Sequence, residues 1–516
     1  MELSEYTKEH TYSNTAEVSD TRQRYDDRMG KKQELKRNFR VLSIISFMCL
    51  MMGSWPFAIC GTTGGLIAAG TGGLIVVYIG CAVFYCALVA SIAEMSSVAP
   101  TAGGQYHWSS EFSHPKAQKF VSYLAGWLLT TSWLVGMASG FFLIGQLAQA
   151  CISIANPSYV PQPWQVWLFV AMFAFAAGIA NTILAQYLAL LEIIAAALFV
   201  VAFAANLIVF WVMAPHNTAS EVFGSFENGA GWSDTGFGML TAQLSVLYLL
   251  IGSDGAAHMS EEIQDAGLNV PRGIWGSYLL GAVTGFVMLV TFCFAFTAEA
   301  LESPTGFPFI QVYLDTTGSV GGAQALTAVL ILLIFFGGAN FMASASRQTF
   351  AFARDGGLPF SRHVAKVSDR FSVPLVAVFL AFAVPVLLSL IDLGSTVAFQ
   401  AIVSLQLIAL FTTYIVSIGT LVFRRLYGPP LPPRRWSLGR FGLAINIIAL
   451  LYGLFALAFI VIPSVPNPTL DQMNWAPVIF AGILAFALVY YFAGGYKSYD
   501  GPVILVKDQS NWVRTR

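Results

Sequence analysis

The sequence predicts an all-α polytopic membrane protein with twelve transmembrane helices, and three observations lead to this fold class. Of the 516 residues, 56% are hydrophobic and only 10% are charged, whereas an ordinary soluble domain has about 25% charged residues. The apolar residues form long continuous runs that suit helices of about 20 residues crossing a bilayer, and not the alternation of about ten residues that marks a β-barrel strand. The Lys and Arg residues also fall only in alternate loops.

The apolar runs, divided by turn residues and charges, predict the position of each span. The twelve spans are expected near 41–69, 73–95, 120–149, 164–181, 184–213, 238–257, 273–298, 321–347, 373–391, 395–423, 441–462 and 475–493. The polar residues 1–40 are predicted to be a disordered N-terminal tail, because they contain no apolar run. The membrane domain follows at 41–494, with a second tail at 495–516.

The basic residues test this count, since short loops rich in Lys and Arg remain on the cytoplasmic side. With the N-terminus inside, all 26 Lys and Arg residues lie in cytoplasmic segments. They are nine in the tail, then Lys116, Lys119, Arg272, five from 347 to 370, five from 424 to 440 and four from 497 onward. The charged residues of the opposite loops are all acidic, namely Glu221, Glu227, Asp234, Glu299, Glu302, Asp315, Asp392 and Asp471. A miscounted span would mix the two sets, so we expect twelve spans with both termini in the cytoplasm.

Two of the predicted spans are interrupted near their middle. Span 1 contains GSWPF at 53–57, where a proline removes a backbone donor, and span 6 contains GSDG at 252–255. An offset of five spans makes the two helices cross in opposite directions, as an inverted repeat of five helices requires. Unwound backbone in a membrane must line a cavity or a bound solute. Because half-helix N-termini suit a carboxylate and C-termini suit an ammonium, a zwitterion fits both.

Four motifs resemble the amino acid–polyamine–organocation superfamily, and within it the fungal branch of GABA, choline and amino acid permeases. They are PTAGGQYHW at 100–108, SDGAAHMSEE at 253–262, NVP at 269–271 and FARDGGLPFS at 352–361. The motifs keep the family's order and extend over most of the chain from about residue 33 to 500. The break in span 1 departs from the family's commoner small-residue pattern, since Trp55 and Pro56 follow Gly53 and Ser54.

The resemblance implies a leucine-transporter-like fold of two inverted five-helix repeats plus two peripheral helices. The first repeat would cover 41–213, the second 238–423, and spans 11 and 12 would lie at 441–493. Substrate would bind at the two breaks, and Tyr248 would occupy the position of an aromatic gate. The residues expected to bind substrate are Gly53, Ser54, Trp55, Tyr248, Gly252, Ser253, Asp254 and Asn340.

Two carboxyl groups lie inside the spans, where a charge costs several kcal/mol unless it is paired or hydrated. We expect Asp254 and Glu192 to carry the coupling proton, with Asp254 also a counter-ion for an ammonium group. A structural role, as a helix cap for Asp254 or a partner for a neighbouring helix for Glu192, is the alternative. Arg354 and Asp355, at the cytoplasmic end of span 8, are expected to form an inner gate.

The predicted function is secondary active import of an amino acid or GABA-like zwitterion by proton symport with alternating access. A choline or quaternary amine transporter of the same family, or a transporter-like nutrient sensor, remains the alternative. The chain shows no catalytic motif, and its six Cys and six His residues have no metal-binding spacing. We therefore expect no enzyme activity, no cofactor and no nucleic-acid partner. The plasma membrane is the expected location, with the vacuolar membrane as the alternative.

Overall fold

The structure is a computed structural model that describes residues 34, 35, 37–156, 158–393, 398–470 and 472–503. Most of the predicted N-terminal tail (1–33), the last part of the C-terminal tail (504–516) and Asp471 lie outside the described residues.

The described residues contain twelve apolar helices in the predicted order, which confirms the fold class. Eleven of them are long and apolar enough to cross a membrane, and the ninth is shorter. Numbered in chain order, spans 1 to 12 are Val41–Cys60, Thr63–Val98, Gln118–Ala155, Pro163–Ala180, Ala185–Met213, Thr235–His258, Ala266–Ala295, Val320–Arg354, Leu375–Ile391, Gln400–Tyr427, Gly439–Ile460 and Ala476–Ser498.

Spans 3 and 8 form the centre of the bundle. With 38 and 35 residues, each is much longer than the about 20 residues that cross a bilayer directly, so both must tilt. They pack against each other, and span 3 also packs against span 10. In the most apolar window of span 3, 83% of residues are buried inside the protein, whereas only 11% are buried in span 12. Span 12 is therefore peripheral, as predicted.

The predicted boundary between spans 1 and 2 was wrong. Span 1 ends at Cys60 and not near residue 69, and the next helix already begins at Thr63. The predicted loop coincides with Gly70, whose positive φ of 68° interrupts this second helix without ending it. Six glycines between residues 61 and 73 give no apolar periodicity from which the true end of span 1 could be recognised.

Both predicted tails have a packed part. The backbone of Phe39 pairs with the chain around Ile263, with the Phe39 N–H donating to the Glu262 carbonyl at 3.0 Å. Near the other end of the chain, Tyr499 is fully buried and its hydroxyl donates to the Ser122 hydroxyl at 2.9 Å. Residues on both sides of the predicted membrane domain, 41–494, therefore pack against the helices.

The two ends of the bundle differ in charge. The described Lys and Arg residues lie at the end that carries the loops after spans 2, 6, 8 and 10, which we call the basic end. A short helix, Gln105–Phe112, follows span 2 there. The opposite end, which we call the acidic end, carries the helix Pro308–Thr317 between spans 7 and 8.

Candidate functional site

Span 1 is broken at one residue. Gly53 has a left-handed backbone, with φ 54° and ψ 30°, and separates the helices Val41–Met52 and Ser54–Cys60. Pro56 lies in the first turn of the second helix, where a missing N–H removes no helical hydrogen bond. The predicted kink therefore lies three residues before the proline, at the glycine that can adopt a positive φ at little cost.

Span 6 has a longer break, at residues 251–254. The helix Gln243–Leu250 ends there, Gly252 has a φ of 108°, and a short helix begins again at Gly255. The two breaks lie side by side, because a Cβ atom added to Gly252 would lie 3.5 Å from the Cγ atom of Met52. The structure thus brings the two interrupted helices together in the middle of the bundle.

A small cavity lies beside the two breaks. Its lining residues come from spans 1, 3, 6, 8 and 10, and none of these described residues is charged: Leu50, Met51, Met52, Phe57, Gly136, Met137, Gly140, Tyr248, Ile251, Ile334, Gly337, Gly338, Phe341 and Gln406. The space open to the centre of a water molecule is about 20 Å³, which holds about one water. The structure is therefore closed around this site, and an amino acid would need the surrounding helices to move apart.

Tyr248 separates this cavity from a larger one toward the acidic end. Its side chain lines the central cavity and also a vestibule of about 410 Å³ that includes Thr305 and Gln400. The Tyr248 hydroxyl is 2.8 Å from the Ser139 hydroxyl, and its ring packs edge-on against Phe57 with centroids 5.0 Å apart. Tyr248 is thus in the position that the predicted aromatic gate would occupy.

Two predicted binding residues in span 1 point away from the cavity. The Trp55 ring packs against Phe199 and Phe203 of span 5, with centroids 5.4 and 5.8 Å apart. Ser54 faces span 7, since a Cβ atom added to Gly281 would lie 2.7 Å from the Ser54 Oγ atom. Neither side chain lines the cavity, so the structure gives both residues a role in helix packing.

Asp254 is also displaced from the cavity, toward the basic end. The Gln105 amide Nε2 donates to the Asp254 Oδ2 atom at 2.5 Å. The Tyr414 hydroxyl of span 10 lies near the carboxyl group, and the Tyr85 hydroxyl lies 3.4 Å from that of Tyr414. The buried carboxyl is therefore held by protein groups in this closed conformation, and Ser253 beside it is buried as well.

Glu192 and Asn340, predicted separately, meet at the interface of three spans. The Asn340 amide Nδ2 donates to the Glu192 Oε2 atom at 2.8 Å and to the Phe47 carbonyl oxygen at 3.0 Å. Asn340 thus links a buried carboxyl of span 5 to the backbone of span 1, six residues before its break. It does not line the cavity, so a direct bond from Asn340 to substrate is not formed in this conformation.

The basic end is closed by ion pairs and one tyrosine. Arg354 makes two bonds to Glu261 at 2.6 and 3.2 Å. The Tyr106 hydroxyl donates to the Asp355 Oδ2 atom at 2.9 Å. A third link, between Arg347 and Glu262, is almost fully buried and has an N–O distance of 2.7 Å. The two residues predicted as an inner gate therefore connect span 8 to the loops after spans 2 and 6.

Glu94 anchors the loop between spans 10 and 11. It is fully buried at the basic end of span 2 and pairs with Arg425 and with Arg434, the latter at 2.9 Å. The backbone N–H of Leu438 also donates to the same carboxylate at 3.2 Å. These contacts fasten the loop between spans 10 and 11 to span 2.

Several cavity residues were not predicted. Phe57, Phe341 and Gln406 line the cavity together with glycines of spans 3 and 8. Gly337 lets span 8 approach span 1, because a Cβ atom there would lie 2.6 Å from the Leu50 carbonyl oxygen. Small residues four apart, or paired as at 337 and 338, are typical of close helix contacts in membranes. That signal was available in the sequence.

Comparisons with known proteins agree with this geometry. A family described as amino acid permease matches residues 41–487. An uncharacterized amino-acid permease of Schizosaccharomyces pombe is 29% identical, and the alignment covers 94% of this chain and 90% of that protein. Amino-acid permease 2 of Neurospora crassa is 28% identical, with 92% and 88% covered. A manganese transporter of Eremococcus coleocola, 13% identical, has a similar fold with a TM-score of 0.50 over 89% of this chain and 95% of its own.

Proposed function

Because this chain belongs to the amino acid permease family, within the amino acid–polyamine–organocation superfamily, we propose that it imports a small amino acid or GABA-like zwitterion by proton symport. Transport would follow alternating access, with the vestibule at the acidic end open to the outside. The basic end and both termini would face the cytoplasm, as the positive-inside rule predicts. The plasma membrane is the proposed location.

The contact between the two helix breaks carries this proposal. Gly252 and Met52 lie next to each other beside a cavity with no charged residue in its described lining. Charged ends of a substrate in such a site would be met by the backbone groups that helix ends leave unpaired. N–H groups at a half-helix N-terminus favour a carboxylate, and carbonyl groups at a C-terminus favour an ammonium. An apolar wall with both kinds of backbone group suits a small zwitterion.

Glu192 is, together with Asp254, a proposed proton site. Its carboxyl group is buried and bonded to Asn340, which in turn holds the backbone of span 1 at Phe47. An ionised Glu192 can only accept hydrogen bonds, whereas a protonated Glu192 can also donate one. Gain or loss of the proton therefore changes the bond from Asn340 to Glu192, and with it the bond from Asn340 to span 1. One proton moving through 100 mV supplies about 2.3 kcal/mol. This energy is enough for about fifty-fold accumulation of substrate, since each 1.4 kcal/mol is tenfold.

The experiment uses the full chain reconstituted in vesicles with an imposed inward proton gradient. Uptake of GABA, proline, neutral amino acids and choline is measured with and without the gradient. The variants are Glu192→Gln and Asp254→Asn, and Glu221→Gln, an exposed acid at the acidic end, is the matched control. We expect uptake of one zwitterion that depends on the gradient in the wild type and in Glu221→Gln but not in Glu192→Gln or Asp254→Asn.

Other outcomes separate the alternatives. Uptake of choline that amino acids do not inhibit would replace the zwitterion by a quaternary amine. Uptake that follows sodium and ignores the proton gradient would exclude proton symport. Binding without transport of any solute would favour a nutrient sensor.

A further inference from the structure

The short helix Gln105–Phe112 begins with two neighbouring residues that bond to different parts of the transport machinery. Gln105 donates to Asp254 in the break of span 6 at 2.5 Å. Tyr106, the next residue, donates to Asp355 at the end of span 8 at 2.9 Å. Both side chains are fully buried. Since adjacent residues of one helical turn move together, a change at one bond is passed to the other.

Resting on the proposed function, we propose that Gln105 is a positioning residue through which protonation of Asp254 controls the inner gate at Tyr106 and Asp355. The proton arrives at the Asp254 carboxyl group and leaves toward the basic end when the gate opens. Gln105 itself touches neither substrate nor cavity.

The chemistry of the side-chain amide explains why a glutamine suits position 105. An ionised Asp254 accepts a charge-assisted hydrogen bond from the Gln105 NH₂ group, and such bonds are about twice as strong as neutral ones. A protonated Asp254 has an O–H group to donate, and the Gln105 carbonyl oxygen can accept it after the amide turns over. A glutamine can thus hydrogen-bond to both the ionised and the protonated carboxyl group, and the two bonds differ in strength and geometry. An apolar or charged residue cannot bond to both forms in this way.

A spare acceptor in the structure supports this role. Within the described residues, the Gln105 Oε1 atom is buried and has no hydrogen-bond partner. An unsatisfied buried acceptor costs about 1–3 kcal/mol, so its presence calls for an explanation. A proton on Asp254 would supply a donor for Oε1 once the amide has turned over, and the Gln105 Nε2 atom would then give up its bond to Asp254.

Other polar groups near Asp254 hold the carboxyl group without linking it to the gate. The Tyr414 hydroxyl of span 10 lies near it, and the Tyr85 hydroxyl of span 2 lies 3.4 Å from that of Tyr414. His258 lies one helical turn further along span 6, and one of its ring nitrogens is 2.8 Å from the Ala102 carbonyl oxygen. His258 therefore fastens the start of the same loop, whereas Gln105 is, among the described residues, the side chain that bonds Asp254 to the helix that carries Tyr106.

The test measures the opening of the gate directly, without substrate. Thr101, buried beside the helix, is replaced by Cys in the full chain, and its labelling by a thiol reagent is followed by mass spectrometry from pH 5 to 8. Rates are normalised to the same peptide in denatured protein, which removes the intrinsic pH dependence of the thiol. Transport in vesicles is measured in parallel for Gln105→Met, which keeps the side-chain length, and for Ser109→Ala, the control on the same helix.

We expect labelling of the wild-type background to rise by about 5–150-fold at acidic pH, the usual range for coupled sites. In Gln105→Met the pH dependence should largely disappear, while Ser109→Ala keeps it. Gradient-driven uptake should fall in Gln105→Met, while exchange of substrate at equal pH persists. Gln105→Asn, whose shorter side chain withdraws the amide, should behave like Gln105→Met and replaces it if that variant does not fold.

Two contrary results are distinguishable. If Gln105→Met keeps the full pH dependence of labelling and the full effect of the gradient on uptake, Gln105 has no positioning role, and the proposed symport stands. If the wild type transports nothing but its labelling depends on pH through Gln105, the switch stands and the proposed function fails.

Discussion

At the scale of the residue, Gly252 has a backbone that only glycine adopts readily. Its φ of 108° is costly for any residue with a Cβ atom, by about 1–3 kcal/mol. The space is not the obstacle, since an added Cβ atom would meet nothing closer than 3.5 Å. Gly252→Ala should therefore reshape the break of span 6 by strain and not by a clash.

We expect Gly252→Ala to lower the melting temperature in detergent and to reduce uptake more than tenfold. Backbone strain of about 1.4 kcal/mol at the break corresponds to a factor of ten. Gly178→Ala is the matched control. It is a helical glycine in span 4 whose added Cβ atom would meet no other atom within 4 Å. Equal behaviour of the two variants would show that the backbone of the break is not required.

Tyr248 offers a second test at this scale. Tyr248→Phe keeps the ring against Phe57 but removes the hydrogen bond to Ser139, which is worth about 0.5–1.5 kcal/mol. Substrate loss toward the vestibule should become about 2–10-fold faster, while Tyr248→Ala should open the cavity to the vestibule altogether. Release of bound radioactive substrate measures both rates. An unchanged release rate in Tyr248→Ala would exclude Tyr248 as a gate.

The residue scale also shows where prediction from sequence stops. The two breaks and the acidic and amide side chains around them could be identified from residue type. The directions in which the Ser54 and Trp55 side chains point could not be predicted. Consecutive side chains of a helix point about 100° apart, and the rotation that the break introduces between the two helices cannot be derived from the sequence. Asp254 was identified, but its partner Gln105 is 149 positions away in the sequence, and only the packing of the loop reveals it.

At the scale of the element, the segment after span 12 is part of the folded domain. Tyr499 packs against Tyr123 and Phe352, with ring centroids 5.4 and 5.8 Å apart. Its position next to polar and charged residues made the sequence predict a tail from 495 onward. Burial of one aromatic side chain among distant helices leaves no local pattern, so composition could not locate this contact.

Replacement of Tyr499 should therefore destabilise the protein. Tyr499→Ala removes a fully buried aromatic side chain, at a cost of about 3–5 kcal/mol. Tyr499→Phe loses only the bond to Ser122, about 0.5–1.5 kcal/mol. Tyr496→Ala, at an exposed position three residues earlier, is the control and should have little effect. Thermal unfolding in detergent measures the series, and equal stability of Tyr499→Ala and the wild type would contradict the packing.

Burial also raises the pKa of the Tyr499 hydroxyl well above its ordinary value. An unfolded tyrosine ionises near pH 10, so above that pH the unfolded chain has lost a proton that the folded chain retains. The contribution of Tyr499 to stability should therefore be constant below about pH 10 and fall as the pH rises further. Tyr499→Phe should reduce this alkaline loss. The same decline in both proteins would assign it to other tyrosines.

At the scale of the whole molecule, the two ends of the bundle are in different states. The acidic end has an open vestibule of about 410 Å³, while the basic end is closed by the pairs Arg354–Glu261 and Arg347–Glu262. The number and order of the spans could be predicted because length in a bilayer and the placement of Lys and Arg are properties of the sequence itself. Which end is closed depends on contacts between loops, and no sequence pattern reports it.

The pair between Arg354 and Glu261 should set the balance between the two states. Both side chains are mostly buried, and a hydrogen bond between charged groups contributes about 1.5–3 kcal/mol. Arg354→Gln should shift the equilibrium toward a conformation open at the basic end, by roughly 10–150-fold since each 1.4 kcal/mol is a factor of ten. Labelling of Thr101→Cys should then become faster at every pH, and not only at acidic pH.

A double-mutant cycle separates this pair from general damage to the loop. If the two side chains act through each other, Glu261→Gln should shift the equilibrium by a similar factor, and the double variant should add little to either single change. Arg362→Gln, an exposed arginine of the same loop, should leave the labelling rate unchanged. Additive effects of the two substitutions would mean that the gate is held elsewhere. The buried pair of Arg347 with Glu262, which joins the same span and loop about two helical turns deeper, would then be the next pair to break.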